Sequence, residues 1–357
     1  MKEAKTSPPD GVAARTTPVN ASRRVEWIDM LKAVGMVLVV FGHTPAFAEP
    51  YWVYSFHMPL FFIVVGLLFP DRLRLNLPTF VRRRAYRRLM PYLIYSIIAV
   101  LLFNLVLRHF GRFAGPPISL RDYLGGIRNG FPLADIVLWF YPVLFGAEVV
   151  AAVVVASAKS KTMQAAAFIG LVAIAGLTGG TNLRYVQFGS ACVMSGVFIL
   201  AGIYARGAMG AIRDFRLAGR ALVFIAALAV SIWLATIQVH AMHQRSDLGT
   251  ASYGNVIIYI ACACAGTLAC ASLCFEFERA RLGFVASIGK ATGVIFPLHD
   301  PLHPFITAFI VFGLRQPNTV QDHSWGWGIF YIVVTFAVLW PLHGYLKKTR
   351  FAAALGL

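Results

Sequence analysis

The 357-residue chain is 58% hydrophobic and only 13% charged, and it carries a formal net charge of +17. The charged fraction is about half that of an average soluble domain, which excludes an ordinary water-soluble fold. The positive charge falls in short gaps between apolar runs and forms no amphipathic surface. It therefore indicates membrane topology, and no nucleic-acid partner is expected. Each apolar run is long enough to cross a hydrocarbon core of about 30 Å. We predict an all-α, polytopic membrane helical bundle.

The chain divides into a long membrane domain with a tail at each end. Residues 1–26 contain Pro and Thr pairs without apolar periodicity, which predicts a disordered cytoplasmic tail. The membrane domain is predicted over 27–346 and a short cytoplasmic tail over 347–357. About ten transmembrane helices are expected, at 28–48, 52–69, 91–110, 134–157, 163–178, 187–205, 219–239, 254–275, 288–313 and 325–345.

The distribution of basic residues orients these spans. If the N-terminus is cytoplasmic, 23 of the 32 Lys and Arg fall on the cytoplasmic side, seven fall outside and two lie within spans. This asymmetry predicts that both termini are cytoplasmic. A signal peptide is the alternative reading of the N-terminus, because Arg23, Arg24 and an apolar stretch precede an A-x-A sequence at 46–48. The long preceding tail, and the presence of Lys32 and His43 in the stretch, favour a retained first span.

The cysteines give no sign of a disulfide framework or of a metal site. All of them lie inside apolar runs, and four of the five follow the pattern C-x-C-x5-C-x3-C in one span. This spacing matches no standard zinc site. We therefore expect these cysteines to pack in the helix bundle, and we expect no bound metal.

The first predicted helix has one polar and one small face. Asp29, Lys32 and His43 fall within an arc of about 60° at 100° per residue, and Gly35 and Gly42 share a different face. Because ionisable groups within a span are costly, the polar face is expected to point into a protein-lined cavity. The small face allows a neighbouring helix to approach closely. A snorkelling lysine and an interfacial histidine without chemistry are the alternative.

The segments 29–43 and 56–69 resemble the beginning of the membrane-bound acyltransferase-3 family, whose members O-acylate bacterial surface glycans. The family pattern is an Arg, ten residues and a His. Here Lys32 is followed by ten residues and His43, a form similar to the branch of fucose O-acetylases and exopolysaccharide acetyltransferases. The lysine keeps the positive charge but lacks the guanidinium fork that binds in a bidentate manner.

Three further segments resemble the same family. Residues 82–91 are similar to its arginine-rich loop before the third helix, 137–142 to the start of its fourth helix, and 288–299 to its late "G-K-N-S … L-H" sequence. In the last segment Ala291 and Thr292 stand where Asn and Ser are usual. A hydroxyl is therefore retained, and the amide is lost.

The resemblance implies an inner-membrane O-acetyltransferase that uses cytosolic acetyl-coenzyme A. The acceptor would be a sugar hydroxyl of an exopolysaccharide, a lipopolysaccharide or a lipid-linked oligosaccharide precursor. Such a hydroxyl needs a general base with a pKa near neutrality, and His43 is the candidate. Lys32 and Asp29 complete the expected catalytic set. The predicted ligands of the coenzyme A phosphates are Arg82, Arg83, Arg84, Arg87 and Arg88. A merely topological role of these arginines is the alternative.

A second group of residues is expected to bind substrate or to support the site. Glu148 lies within the fourth predicted span, so its carboxylate should pair with Lys32, an arginine or a histidine, or else be protonated. For His57 and His299, a structural role as interfacial or core histidines is equally open. The full supporting set is His57, Trp139, Glu148, Lys290, Thr292 and His299.

A transporter or flippase is the main alternative function, since many carriers combine about ten spans with intramembrane charges. No internal repeat at half-length supports it, and the polar residues cluster in the first helix and one basic segment. A scaffold without catalysis would leave Asp29, Lys32 and His43 unexplained. The expected partners are acyl-coenzyme A, a glycan acceptor and membrane lipids. The sequence does not determine the oligomeric state.

Overall fold

A computed structural model of the protein describes residues 26–45, 51–71, 75–109, 115–130 and 132–357. This part of the chain is largely helical, as the apolar pattern predicted. Its α-helices, in chain order, are α1 (Glu26–His43), α2 (Tyr51–Tyr54), α3 (His57–Leu67), α4 (Leu77–Leu105), α5 (Leu120–Asn129), α6 (Phe140–Ser157), α7 (Lys161–Thr178), α8 (Arg184–Arg213), α9 (Leu217–Thr236), α10 (Val256–Arg279), α11 (Gly283–Lys290), α12 (Thr292–Ala308) and α13 (Trp325–Leu346).

Eight helical segments in the described residues are long and apolar enough to cross a membrane. They contain α4, α6, α7, α8, α9, α10, α12 and α13, some of them with a short 3-10 or π extension. Two further predicted spans coincide with α1, which carries three charged residues, and with the shorter segment Tyr51–Leu67. The protein is thus a polytopic helical membrane protein. The total of ten crossings and the cytoplasmic position of both termini stay predictions.

The third span differs most from its predicted bounds. It was placed at 91–110, but α4 begins at Leu77, where the Asn76 side chain accepts a hydrogen bond from the Thr79 backbone N–H at 3.1 Å. Such an N-cap, followed by Pro78 in the first turn, is a strong helix start. The arginine-rich stretch is therefore helical and was wrongly assigned to a loop. Residues four apart within it lie on the same face.

The predicted ninth span, 288–313, is divided between α11 and α12. Ala291 separates the two helices with φ −85° and ψ 2°, outside α-helical geometry. Both helices pack against α1. The contact with α11 is very close, because a Cβ atom added at Gly289 would lie 1.7 Å from the backbone oxygen of Asp29. Only glycine fits at this crossing.

Small residues also bring other helices together. A Cβ atom at Gly35 would lie 2.9 Å from the Leu60 side chain, and the nearest atoms to one at Gly42 belong to the Tyr54 ring. The small face of α1 therefore packs against the segment Tyr51–Leu67, as predicted. Helices α3 and α8 cross even more closely, at Gly66 and Gly202, where an added Cβ atom would lie 2.0 Å and 2.2 Å from backbone oxygens of the other helix.

The residues after α13 fold back onto the bundle. Leu355 is buried, and a Cβ atom added at Gly293 would lie 3.1 Å from the Leu357 side chain. A Cβ atom at Gly356 would lie 3.1 Å from Pro91 of α4. The predicted C-terminal tail thus packs against α4 and α12. The predicted N-terminal tail before residue 26, and the A-x-A sequence at 46–48, lie outside the described residues.

Candidate active site

A cavity of about 300 Å³ lies between α1, α3, α4, α6, α11 and α12. Side chains of α3 and α6 contribute apolar lining, and the polar part of the lining is strongly basic. The basic residues that line it are Lys32, Arg84, Arg87, Arg88 and Lys290. Three separate helices, α1, α4 and α11, contribute these basic residues, so positions 32 to 290 of the chain meet in one place. The predicted cavity beside the polar face of α1 is therefore present.

The carboxylate of Glu148 holds two of these arginines in position. Its Oε1 lies 3.1 Å from Arg84 Nη1 and 3.0 Å from Arg88 Nη2, and its Oε2 accepts a hydrogen bond of 3.1 Å from Arg88 Nε. The Glu148 side chain is 0% exposed. A buried carboxylate requires such bidentate, charge-assisted partners. The expected pairing of Glu148 is thus found, with arginines of α4.

The helical periodicity of α4 separates the five predicted arginines. Arg84, Arg87 and Arg88 line the cavity, whereas Arg82 and Arg83 are not part of its lining. Positions 84, 87 and 88 share one helix face because they are three and four residues apart, and position 82 lies on the opposite side of the helix. The sequence could not make this distinction while the stretch was interpreted as a loop.

Lys32 and the α11–α12 junction also line the cavity. Lys32 Nζ donates a hydrogen bond of 2.9 Å to Asp29 Oδ1, and Asp29 is buried. Lys290 and Thr292 flank the junction, and the Thr292 hydroxyl donates to the backbone oxygen of Gly289. The structure therefore brings the predicted residues Lys32, Lys290 and Thr292 together. Asp29 forms an ion pair with Lys32 and is not among the lining residues.

His43 lies in a cluster of rings at the other end of α1. It lies eleven positions after Lys32, which corresponds to about 16 Å along the helix. The centroid of its ring is 5.2 Å from that of His299 and 6.4 Å from that of Tyr54, and the Tyr54 ring is 5.1 Å from His57. Three of the predicted histidines are thus neighbours. Tyr54 was not predicted, because no sequence pattern indicates that it lies beside His43.

Hydrogen bonds to the backbone fix the two supporting histidines. His57 Nδ1 lies 2.8 Å from the backbone oxygen of Val53, and His299 Nδ1 lies 2.6 Å from that of Phe296. Since a carbonyl oxygen only accepts, each Nδ1 carries the proton. The Nε2 atom of each neutral ring is then an acceptor. This arrangement holds the rings beside His43 in one orientation.

Aromatic rings connect the basic cavity with the histidine cluster. Phe140, Tyr141 and Phe296 all line the cavity, and the Phe296 ring is 4.8 Å from Phe140 and 6.0 Å from His299. Sequence reasoning missed these rings, although Phe296 lies within the family-like segment 288–299. The predicted Trp139 does not line the cavity. It packs against Gly249, where an added Cβ atom would lie 2.9 Å from its indole nitrogen.

These features define a class: a polytopic membrane protein whose charged first helix borders a basic, buried cavity. The sequence model of a family described as an acyltransferase domain matches residues 25–344. The match covers α1 to α12 and all but the last two residues of α13. The chain therefore belongs to the acyltransferase-3 family of membrane acyltransferases, as the sequence resemblance implied. No curated protein matches the chain.

Proposed function

We propose that this protein transfers an acetyl group from cytosolic acetyl-coenzyme A to a sugar hydroxyl of a bacterial surface glycan. The acceptor would be an exopolysaccharide, a lipopolysaccharide or a lipid-linked precursor, and the location would be the inner membrane. One observation carries the proposal. A cavity lined by five basic side chains is linked, through Phe296 and His299, to the histidine that the family pattern marks.

The basic cavity fits the phosphates of coenzyme A. Guanidinium groups bind phosphate oxygens through paired, charge-assisted hydrogen bonds. Arg84 and Arg88 are oriented by Glu148, but each guanidinium has five N–H groups and retains donors for a ligand. Arg87 on the same helix and Lys290 on α11 add positive charge, and Lys32 on α1, although paired with Asp29, retains N–H donors. A dianionic or more highly charged ligand would offset this charge.

The histidine cluster fits the chemical step. With the phosphates near Lys32, the extended pantetheine arm would carry the thioester toward His43. His43 would accept the proton of the sugar hydroxyl while the oxygen attacks the thioester carbonyl. The new C–O bond forms, the C–S bond breaks, and the sulfur leaves as the coenzyme A thiolate, which then takes up a proton. Lys32 lies too far from His43 along α1 to stabilise the oxyanion there, so we assign Lys32 to donor binding.

Transfer of labelled acetyl tests the proposal directly. Purified protein would be incubated with acetyl-coenzyme A labelled in the acetyl group and with glycan from cells that lack the protein. The parent should label the glycan, and His43→Ala should reduce labelling by about 100-fold or more. His240→Ala is the matched control, since His240 is an exposed histidine outside the cavity lining. It should retain parent activity.

Two outcomes would contradict the proposal at different levels. Normal turnover by a properly inserted His43→Ala protein would exclude His43 as the base. If the parent leaves all label in acetyl-coenzyme A, acetyl transfer to the glycan fails, and transport of an acylated or unacylated glycan becomes the better explanation. Surface glycan from cells with and without the protein, compared by mass, would then show no loss of acetyl units.

A further inference from the structure

Aromatic side chains line part of the donor cavity, among them Phe61, Phe140 and Phe296. The Phe140 ring lies 6.1 Å from Phe61 and 4.8 Å from Phe296, and Tyr141 is 6.1 Å from Phe296. These rings form a packed layer. Phe296 connects this layer to the histidine cluster, because its ring lies 6.0 Å from that of His299.

Phe296 occupies the decisive position in this layer. Thr292, Phe296 and His299 are spaced four and three residues apart, so they share one face of α12. Thr292 lines the basic cavity, and the ring of His299 is 5.2 Å from that of His43. Phe296 stands between them. It is 5% exposed, so its ring is packed against neighbouring groups on nearly all sides.

We propose that Phe296 limits the acyl group of the donor to a short one and is a specificity-determining residue of this protein. This inference rests on the proposed function, because it assumes an acyl-coenzyme A in the cavity. Protein interiors are packed as densely as organic crystals, so extra methylene groups cannot enter without displacing a ring. An acetyl group adds one methyl beyond the carbonyl. A butyryl group adds two methylenes more, and these would have to occupy the volume of the Phe296 ring.

The binding of unreactive donor analogues tests the inference without knowledge of the acceptor. Thioether analogues of acetyl- and butyryl-coenzyme A, together with free coenzyme A, would be titrated calorimetrically into detergent-purified protein. The parent should bind the acetyl analogue more tightly than the butyryl analogue. Phe296→Ala should reverse or abolish this preference. Each methylene that gains a buried position is worth about fourfold in affinity, or about 0.8 kcal/mol, so the ratio should change by about 15-fold.

Phe62→Ala is the matched control. The Phe62 ring is fully buried and lies 5.3 Å from Phe140, but Phe62 is not part of the cavity lining. Its removal should lower the thermal midpoint as much as Phe296→Ala does and leave the butyryl-to-acetyl ratio unchanged. Phe296→Leu serves as a second test if the alanine variant does not fold, and it should give a smaller shift in the same direction.

The possible results separate this inference from the proposed function. An unchanged ratio in both Phe296 variants, with coenzyme A still bound, would overturn the role of Phe296 and leave the donor site intact. An equal change of ratio in Phe62→Ala would also overturn it, because the effect would then reflect general loosening of the bundle. If the parent binds neither free coenzyme A nor either analogue, the proposed donor itself is wrong, and the inference falls with it.

Discussion

Arg87 offers the cleanest test of the donor site. It lines the cavity, but the carboxylate of Glu148 is bonded by its neighbours Arg84 and Arg88. Arg87→Gln therefore removes one charge from the cavity and leaves the buried ion-pair network complete. Arg82→Gln removes the same charge from the opposite, exposed face of the same helix. The pair of variants differs only in the direction of the side chain.

The expected loss follows from the chemistry of a phosphate contact. A hydrogen bond to a charged group contributes about 1.5 to 3 kcal/mol. Because Arg87 is exposed, the lower end applies, and 1.4 kcal/mol is a factor of ten in affinity. The dissociation constant for free coenzyme A, measured calorimetrically, should rise about tenfold in Arg87→Gln and less than twofold in Arg82→Gln. Abundance and insertion should be unchanged in both, since the stretch keeps four other arginines.

Salt provides a second readout of the same contact. The affinity of the parent for coenzyme A should fall as ionic strength rises, and the fall should be shallower in Arg87→Gln than in Arg82→Gln. Equal losses in the two variants would mean that the helix acts only through its total charge. Unchanged binding in both would refute the reasoning and would reduce the arginines to topology determinants.

Three further predictions concern the walls of the cavity. Lys32→Arg should retain more coenzyme A affinity than Lys32→Ala, because it keeps a positive charge there; equal values in a binding titration would show that this charge is irrelevant. Gly289→Ala should reduce the free energy of unfolding by about 1 to 3 kcal/mol and lower the thermal midpoint, since its Cβ atom would overlap the Asp29 backbone. Gly207→Ala, where the added Cβ atom meets open space, should leave the thermal midpoint unchanged. Glu148→Gln should destabilise the protein by about 3 kcal/mol or more and weaken coenzyme A binding; a thermal midpoint equal to that of the parent would show that the Arg84 and Arg88 pairing contributes nothing.

The sequence by itself determined the membrane class, the helical architecture and the family. These properties depend on local quantities, namely the length and hydropathy of each run and the residue spacing in segments such as 29–43. It also predicted that Glu148 needs a partner, because an unpaired carboxylate is costly inside a membrane wherever it lies. The choice among Lys32, an arginine and a histidine remained open, since that choice depends on which helices are neighbours.

Only the tertiary structure decided which residues share the site. Arg84 and Arg87 line the cavity and Arg82 does not, because α4 begins at Leu77 and its helical phase carries through the arginine stretch. Phe296 gains its place between the basic cavity and His43 from the crossing of α1 with α11 at Gly289 and from the turn at Ala291 into α12. Contacts between helices that are distant in the chain fix such positions, and hydropathy, which is summed along the chain, contains no information about them.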